Sequence, residues 1–219
     1  MDNEQSFESI LLLSIVENHL KYNGYDYLIL PALKLSQIQL VQCLNSIADS
    51  LDLHYTKLKG TTWKEDKLKE MTDPDLVYIL LPDGFISLKI VGEFEFRMLY
   101  IYEIHIGPKL RNKGLGTRLM DIIQNIALDL SNNDSLRDDW LENNYQIGNG
   151  DVRKLEKGDS VITAVGLTVF TDNINALRFY VKLGFLIHPT SPGYDRHGKI
   201  NLKRDDDILY YIMHKPLKI

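Results

Sequence analysis

The sequence predicts a mixed α/β fold, in which helices pack on a β-sheet, and three stretches carry this prediction. Leu76–Leu81 and Phe85–Val91 are apolar runs joined by Pro-Asp-Gly, which predicts an antiparallel hairpin. Tyr100–Gly116 starts as an alternating, extended segment, passes through a basic turn with two glycines and then opens a helix. Val161–Phe170 is rich in β-branched residues, as a buried strand would be, and is followed by a capping Thr-Asp-Asn.

The N-terminal third alternates helical and extended patterns. From Phe7 to about Tyr22, apolar residues recur at helical spacing, and Tyr25–Leu30 then predicts a short strand that ends at Pro31. Ser36 is expected to begin a second helix that ends near Leu53, with Gln39 placed to close a capping box.

A third helix is predicted in the segment TTWKEDKLKEM. Thr62 is the expected N-cap, with Glu65 three residues on to complete a capping box. Trp63 is the large aromatic residue of this helix and suits either a core anchor or the wall of a substrate groove. Farther on, Gly92–Phe96 is expected to form a second turn or a strand edge with two acidic residues.

The C-terminal part contributes one more helix and two more strands. The helix is predicted at Ile174–Leu183, and the strands at Phe185–His188 and Leu209–Met213. Between the last two β-α units lies a polar segment at about 131–160, which is expected to be a surface insertion, mobile or only partly helical around Ser135–Asn143.

Length and composition indicate an ordinary globular protein. The 219 residues fit a single domain spanning 1–219 and can bury a substantial core. A formal net charge of -5 argues against direct nucleic-acid binding, which needs a basic surface, and leaves room for a cationic substrate. The lone Cys43 excludes an internal disulfide and is expected to pack in the core, in a reducing compartment.

No targeting segment, membrane span or metal site is expected from the sequence. Ile10–Val16 is apolar, but it follows acidic residues rather than cations and is far too short to cross a bilayer. The six histidines are scattered without metal-ligand spacing. The expected location is the cytoplasm, the nucleus or both, without membrane contact.

The basic turn RNKGLG at 111–116 is a candidate phosphate site because it lies where a strand ends and a helix begins. It is neither a dinucleotide G-x-G-x-x-G nor a P-loop, and alone it suits a tight connection equally well. A second pattern raises the odds of a ligand site. Asn173, Ala176 and Tyr180 share one helix face, and Gly184-Phe185 follows them.

These two patterns resemble the motifs of the GCN5-related N-acetyltransferase (GNAT) superfamily: R/Q-x-x-G-x-G/A, then N-x-x-A-x-x-x-Y-x-x-x-G-F. The resemblance implies a mostly antiparallel sheet of about six to seven strands with helices on both faces. It also implies acetyl-CoA as co-substrate, with the pyrophosphate on the glycine turn and the pantetheine arm along Glu103–Ile106, where this strand splays from Gly166–Val169. The implied cofactor-binding residues are Ile104, His105, Ile106, Arg111, Asn112, Lys113, Gly114, Leu115, Gly116, Thr117, Asn173, Ala176 and Tyr180.

Within this superfamily the sequence is most similar to the NatD enzymes, which acetylate histone N-termini, and to their fungal members in particular. The similar blocks are Trp63–Asp75, Leu99–Ile106, Arg111–Gly116, Leu167–Asn173 and Leu209–Lys215. The resemblance implies that the substrate is the N-terminal peptide of histones four and two-A, which begins Ser-Gly-Arg-Gly. It also allows an association with the ribosome during synthesis.

The resemblance assigns roles to individual residues. Glu103 is implied as general base through water, Tyr180 as the acid that protonates the departing thiolate, and Tyr102 as a further catalytic residue. The implied substrate contacts are Tyr55, Trp63, Glu93, Glu95, Tyr100, Tyr102, Thr168 and Tyr211. Structural alternatives stay open: an ion pair for Glu103, helix packing for Tyr180, and for His105 either a proton relay or a satisfied sheet histidine.

Two other functions are compatible with the same residues. The chain could acetylate another amine, such as a lysine side chain or a small molecule. It could instead be an acyl-CoA-binding module without catalysis, although the presence of both Glu103 and Tyr180 favours an enzyme.

Overall fold

The computed structural model describes residues 4–21, 26–93, 96–145, 161–193 and 208–218. Helices in these ranges are α1 (Phe7–Leu20), α2 (Gln37–Lys59), α3 (Trp63–Met71), α4 (Leu115–Ser131), α5 (Asp134–Tyr145) and α6 (Ile174–Lys182), with a 3-10 turn at Ala32–Lys34. Strands in these ranges are β1 (Leu28–Pro31), β2 (Val77–Leu81), β3 (Gly84–Glu93), β4 (Phe96–Ile106), β5 (Ile162–Phe170), β6 (Leu186–Ile187) and β7 (Tyr210–Pro216).

The described strands form one sheet in the order β1-β2-β3-β4-β5-β7-β6. Every neighbouring pair is antiparallel except β4 and β5, which run parallel. Hairpin strands β2 and β3 pair from Val77 with Leu88 to Leu81 with Gly84. The predicted fold class, a mixed and mostly antiparallel sheet of six to seven strands, is therefore confirmed.

Helices cover both faces of the sheet, as predicted. On one face, α1 and α4 pack on strand residues that include Ile86, Leu99 and Ile101. On the other, α2 and α3 pack on strand residues that include Tyr78 and Phe85. Alternate strand residues point to opposite faces, so the hairpin and β4 supply side chains to both cores.

Two irregularities of β4 prepare the site. Its pairing with β5 ends at Ile101 opposite Leu167, so the last five residues of β4 diverge from the end of β5. Its pairing with β3 skips Tyr102, because Leu88 is opposite Ile101 while Ser87 is opposite Glu103. An extra residue of this kind is a β-bulge, and it turns Tyr102 and Glu103 towards the same face, that of α2 and α3.

Helix α2 and the N-cap of α3 differ in detail from the sequence prediction. Helix α2 continues to Lys59 rather than ending near Leu53, because Leu51 and Tyr55 extend its apolar stripe onto the core. The capping box at Ser36 forms as predicted, whereas the Thr62 side chain makes no capping hydrogen bond. The partly helical part of the polar insertion is helix α5, and residues 146–160 lie outside the described residues.

The predicted burial of Cys43 and the predicted cap of α6 agree with the structure. Cys43 is buried, and Asn173 caps α6 by accepting a hydrogen bond from the Ala176 amide at 3.3 Å. Within the described ranges, no helix combines the length and apolar character that a membrane crossing requires.

The hairpin turn requires glycine at position 84, and this requirement can be tested. Its φ is +139°, and a Cβ there would lie 2.1 Å from the His105 carbonyl oxygen, because β4 packs against the turn. We expect Gly84→Ala to lower the free energy of unfolding by about 2 to 4 kcal/mol in urea denaturation. Gly60 also has a positive φ, +82°, but no atom lies within 4 Å of its added Cβ, so Gly60→Ala is the control for strain alone. Equal losses in both variants would contradict the close approach.

Candidate active site

A continuous cleft opens where β4 and β5 diverge. Its walls are the ends of these strands, the C-terminal half of α2, the start of α4 and one face of α6. The predicted residues that line it are Tyr55, Tyr100, Tyr102, Glu103, Ile104, His105, Ile106, Arg111, Asn112, Gly114, Leu115, Gly116, Thr117, Thr168, Asn173, Ala176 and Tyr180. The fold thus brings together most of the residues that the two sequence motifs singled out.

The glycine turn has the geometry of an anion site. Asn112 and Gly114 both have positive φ, 58° and 75°, and Gly114 is the N-cap of α4. Backbone amides in the first turn of a helix lack intrahelical acceptors, and the helix dipole is positive there. An added Cβ on Gly114 would meet no atom within 4 Å, so this glycine faces open space. The turn therefore leaves room for a phosphate-bearing ligand to approach the backbone.

The neighbouring residues of the turn have structural roles. The Arg111 Nε donates to the Ile106 carbonyl at 2.6 Å, which holds the turn against the end of β4. A Cβ on Gly116 would lie 3.3 Å from both Ile106 and Phe179, so this glycine lets α4 pack closely against the strand and α6. Lys113 is exposed and is not part of the cleft wall.

Glu103 is buried in the cleft floor, with a relative exposure of 6%, and both of its carboxylate oxygens are bonded. Its Oε1 accepts from the Tyr55 hydroxyl at 2.9 Å and lies 2.5 Å from the Lys67 ammonium. Its Oε2 lies 2.7 Å from His105 Nε2, and His105 Nδ1 lies 3.1 Å from the Ser50 hydroxyl. This network joins β4 to α2 and α3, so the ion-pair alternative for Glu103 is present in the structure.

The network keeps Glu103 ionised. Burial alone would raise the pKa of its carboxyl, but the charge of Lys67 and the hydrogen bond from His105 outweigh burial and lower this pKa to about 2. For Lys67, burial favours the neutral form, yet Glu103 raises the ammonium pKa above its ordinary value. Because an unfolded glutamate has a pKa of about 4.3, ionised Glu103 stabilises the fold at neutral pH. This contribution is lost as the pH falls from about 4.3, the unfolded pKa, towards the folded pKa of about 2.

Aromatic side chains build the wall near the strand gap. The Tyr100 ring lies on Gly166, where an added Cβ would come within 2.8 Å of it, and its hydroxyl bonds to that of Thr168 across the gap. Burial raises the pKa of Tyr100 to about 12. Tyr102 contacts Tyr100 edge-on, with ring centroids 5.5 Å apart. Tyr55 stacks on Trp63 with centroids 4.7 Å apart, which fixes its hydroxyl on Glu103.

Tyr180 lies in the cleft on the opposite wall, on α6. It is 8% exposed and packs against Phe179 and Phe185. Burial, with a smaller contribution from the charge of Glu103, raises the pKa of its phenol. The hydroxyl therefore stays protonated at neutral pH and can donate to a group in the cleft.

Some predicted substrate residues are placed elsewhere. Trp63 is 1% exposed and belongs to the core behind Tyr55. Of its two predicted roles, Trp63 therefore has that of a core anchor and not that of a groove wall. Tyr211 packs against the core on the α1 and α4 side, whereas its neighbours Tyr210 and Ile212 line the cleft. The side chain of Glu93 and the whole of Glu95 lie outside the described residues.

Lys67 is the main functional candidate that sequence reasoning missed. With Trp63 and Met71 it forms the buried face of α3, at positions i, i+4 and i+8. A lysine on the apolar face of a helix was the available signal, because charged residues are rarely buried without a partner. The cleft also includes Ser50, Lys59 and Glu70 from α2 and α3, which no motif marked.

The sequence predicted no metal site, and the candidate ligands in the cleft include Glu103 and His105. Within the ranges that the structure describes, no three His, Cys, Asp or Glu side chains cluster as a metal site would require. Glu103 and His105 are bonded to each other and to protein partners.

Comparison with known protein families finds a match that includes the glycine turn. The model of the acetyltransferase (GNAT) family matches residues 44–137, which run from α2 through the glycine turn into α5. This stretch of the chain is therefore similar to the GNAT family, as the two motifs predicted.

A second comparison finds an individual enzyme that is similar to this chain. N-alpha-acetyltransferase 40 of Saccharomyces cerevisiae is 27% identical to this chain, in a match that covers 70% of the chain. The match spans 55% of the relative's length. The predicted similarity to the fungal NatD enzymes is confirmed by this relative.

Among solved structures, two N-acetyltransferases illustrate the structural likeness. Ard1 from Thermoplasma volcanium is 18% identical, with a TM-score of 0.42 and coverage of 88% of this chain and 99% of that one. Arabidopsis thaliana NAA60 in complex with a bisubstrate analogue is 15% identical, with a TM-score of 0.44 and coverage of 88% and 98%. At these scores the structural likeness adds nothing to the sequence matches.

The open side of Gly114 leads to a prediction about acetyl-CoA. We expect Gly114→Val to weaken acetyl-CoA binding at least about tenfold in calorimetry, because the new side chain would occupy the space in front of the backbone amides. Gly60→Val is the matched control, since Gly60 has a similar positive φ and lies outside the cleft. Undiminished affinity in the Gly114 variant would remove the glycine turn from the cofactor site.

Proposed function

We propose that this chain is an acetyl-CoA-dependent acetyltransferase that acetylates the N-terminal α-amine of a protein substrate. The observation that carries the proposal is that a single strand joins the two parts of such a site. Ionised Glu103 lies on β4 before Ile104, and the glycine turn with its open backbone follows the end of the same strand. The family match and the N-alpha-acetyltransferase relative support the same reaction.

The cleft residues fit acetyl-CoA. The backbone from Arg111 to Gly116 would hold its pyrophosphate, and the backbone of β4 after Ile101 is released from β5 to bind the pantetheine arm. Bound acetyl-CoA would supply a thioester carbonyl to the attacking amine, with coenzyme A leaving as a thiolate. The nearby side chains of Asn173 and Ala176 would contact the cofactor from α6.

Glu103 would receive the proton that the amine loses. An α-amine has a pKa of about 8, so a useful fraction is already neutral at physiological pH, and only this fraction attacks. Held ionised by Lys67, Glu103 is a weak base and would act through water at the moment the attacking nitrogen becomes acidic. On the opposite wall, protonated Tyr180 would donate its hydroxyl proton to the leaving thiolate.

For the substrate we propose a histone N-terminus of the Ser-Gly-Arg-Gly type. Tyr55, Tyr100 and Tyr102 would surround the first residues in the cleft, with Thr168 at the gap. The carboxylates of Glu93 and Glu95, which precede Tyr100 in the sequence, remain the proposed partners of the substrate arginine. A net charge of -5 favours such a cationic peptide, and the cytoplasm and nucleus are where it would be met.

The role of Glu103 can be tested by removing its charge. We expect Glu103→Gln to lower turnover about ten- to ten-thousand-fold while acetyl-CoA affinity stays near that of the wild type. Glu70→Gln is the matched control, because Glu70 also bonds Lys67 and lines the cleft but lies on α3. Equal turnover in wild type and Glu103→Gln would take this residue out of the mechanism, and equal losses in both variants would indicate a general effect of charge.

The substrate can be tested with two short peptides. We expect Ser-Gly-Arg-Gly-Lys with a free N-terminus to be acetylated, and the same peptide with a blocked N-terminus to be inert, in a mass-spectrometric assay. Acetylation of the blocked peptide at lysine would instead indicate a lysine acetyltransferase. Binding of acetyl-CoA without acetylation of either peptide would favour the acyl-CoA-binding module.

A further inference from the structure

Lys67 is a buried cation that no sequence motif marked. Its side chain is 3% exposed, on the face of α3 that packs on the sheet. The ammonium lies 2.5 Å from Glu103 Oε1 and 2.6 Å from Glu70 Oε1, and 5.3 Å from the centre of the Tyr55 ring. Burying an ammonium is costly unless carboxylates surround it, and here two do.

Glu103 depends on this cation in turn. A carboxylate that is 6% exposed would gain a proton in the absence of a counter-charge, since burial disfavours the charged form. The titratable and charged groups that face the pair come from α2, α3, β2, β4 and α6: Tyr55, Glu70, Tyr78, Tyr102, His105 and Tyr180. Among the groups that bond to the Glu103 carboxylate, Lys67 carries an ammonium and lies closest, 2.5 Å from Oε1.

We infer that Lys67 is the positioning residue that keeps Glu103 ionised and fixes its carboxylate in the cleft. Lys67 and Tyr55 both bond to Oε1, so they set the plane of the carboxylate from the α2 and α3 side. His105 takes one site on Oε2 and leaves a further lone pair of that oxygen for a water or the substrate amine. The charge state of Glu103 is a property of the fold, and its role in turnover rests on the proposed function.

The test measures the ionisation of Glu103 directly, without turnover. In protein labelled with carbon-13 in its glutamate carboxyls, the Glu103 signal is assigned by its absence in Glu103→Gln. We expect no titration of this signal between pH 5 and 8 in the wild type. In Lys67→Met, which keeps the length of the side chain and removes its charge, we expect the signal to titrate within or above this range.

Two other variants control the experiment. Lys69→Met removes a lysine from the same helix whose side chain is 82% exposed, and it should leave the Glu103 signal unchanged. Lys67→Arg keeps the charge, and we expect Glu103 to stay ionised in it. This variant provides a test even if Lys67→Met does not fold. Titration of Glu103 between pH 5 and 8 in the wild type, an unchanged signal in folded Lys67→Met, or neutral Glu103 in Lys67→Arg would each overturn the inference.

Activity gives a second, separable result. The quantity to compare is the ratio of kcat/KM at pH 8 to kcat/KM at pH 6. We expect this ratio to be at least about tenfold larger in Lys67→Met than in the wild type, since one unit of pKa is a tenfold change in ionisation. A purely structural lysine would lower kcat/KM by the same factor at every pH, and this outcome would contradict the inference. Absence of turnover in the wild type would refute the proposed function, while the carboxyl titration would still decide the role of Lys67.

Discussion

The loss of backbone pairing between β4 and β5 is the feature on which the rest of the site depends. The two parallel strands bond only as far as Ile101 and Leu167, and beyond that point β4 stays paired with β3 while β5 stays paired with β7. The facing edges of the gap are therefore held rigidly from outside, which is how a sheet can keep unpaired backbone groups available for a ligand. The bulge at Tyr102 turns β4 locally and directs Tyr102 and Glu103 to one face.

Placing a carboxylate in the floor of this gap requires a compensating charge. A buried ion pair adds little net stability compared with apolar packing, because both ions lose their hydration. The chemistry of the cleft therefore explains why Glu103 is buried among Tyr55, Lys67 and His105 better than the stability of the fold does. For the proposed acetyl transfer, Glu103 would be a fixed anion rather than a strong base, which suits an α-amine that is already partly neutral at physiological pH.

Local patterns allowed much of the fold, and the side of the cleft that holds the glycine turn, to be predicted. The hairpin, the strand that feeds the glycine turn and the cap at Asn173 depend on neighbours in the chain, so turn chemistry and periodicity identify them. The side of the cleft where we propose that a peptide binds was harder to predict, because its residues come from α2, α3 and β7. One residue of register on β7 decides whether Tyr210 or Tyr211 lies in the cleft.

By itself, the sequence determined the class of fold and the glycine turn between strand and helix, because each is encoded in a short continuous stretch, and the family resemblance added Glu103 as a candidate catalytic group. Only the tertiary structure decided the charge state of Glu103 and the partners that hold it. Lys67 lies 36 positions before Glu103, and nothing in the spacing of the two residues indicates their contact. Their meeting results from the packing of α3 on the sheet and from the bulge that turns Glu103 towards it, and both arise from long-range contacts that local sequence does not specify.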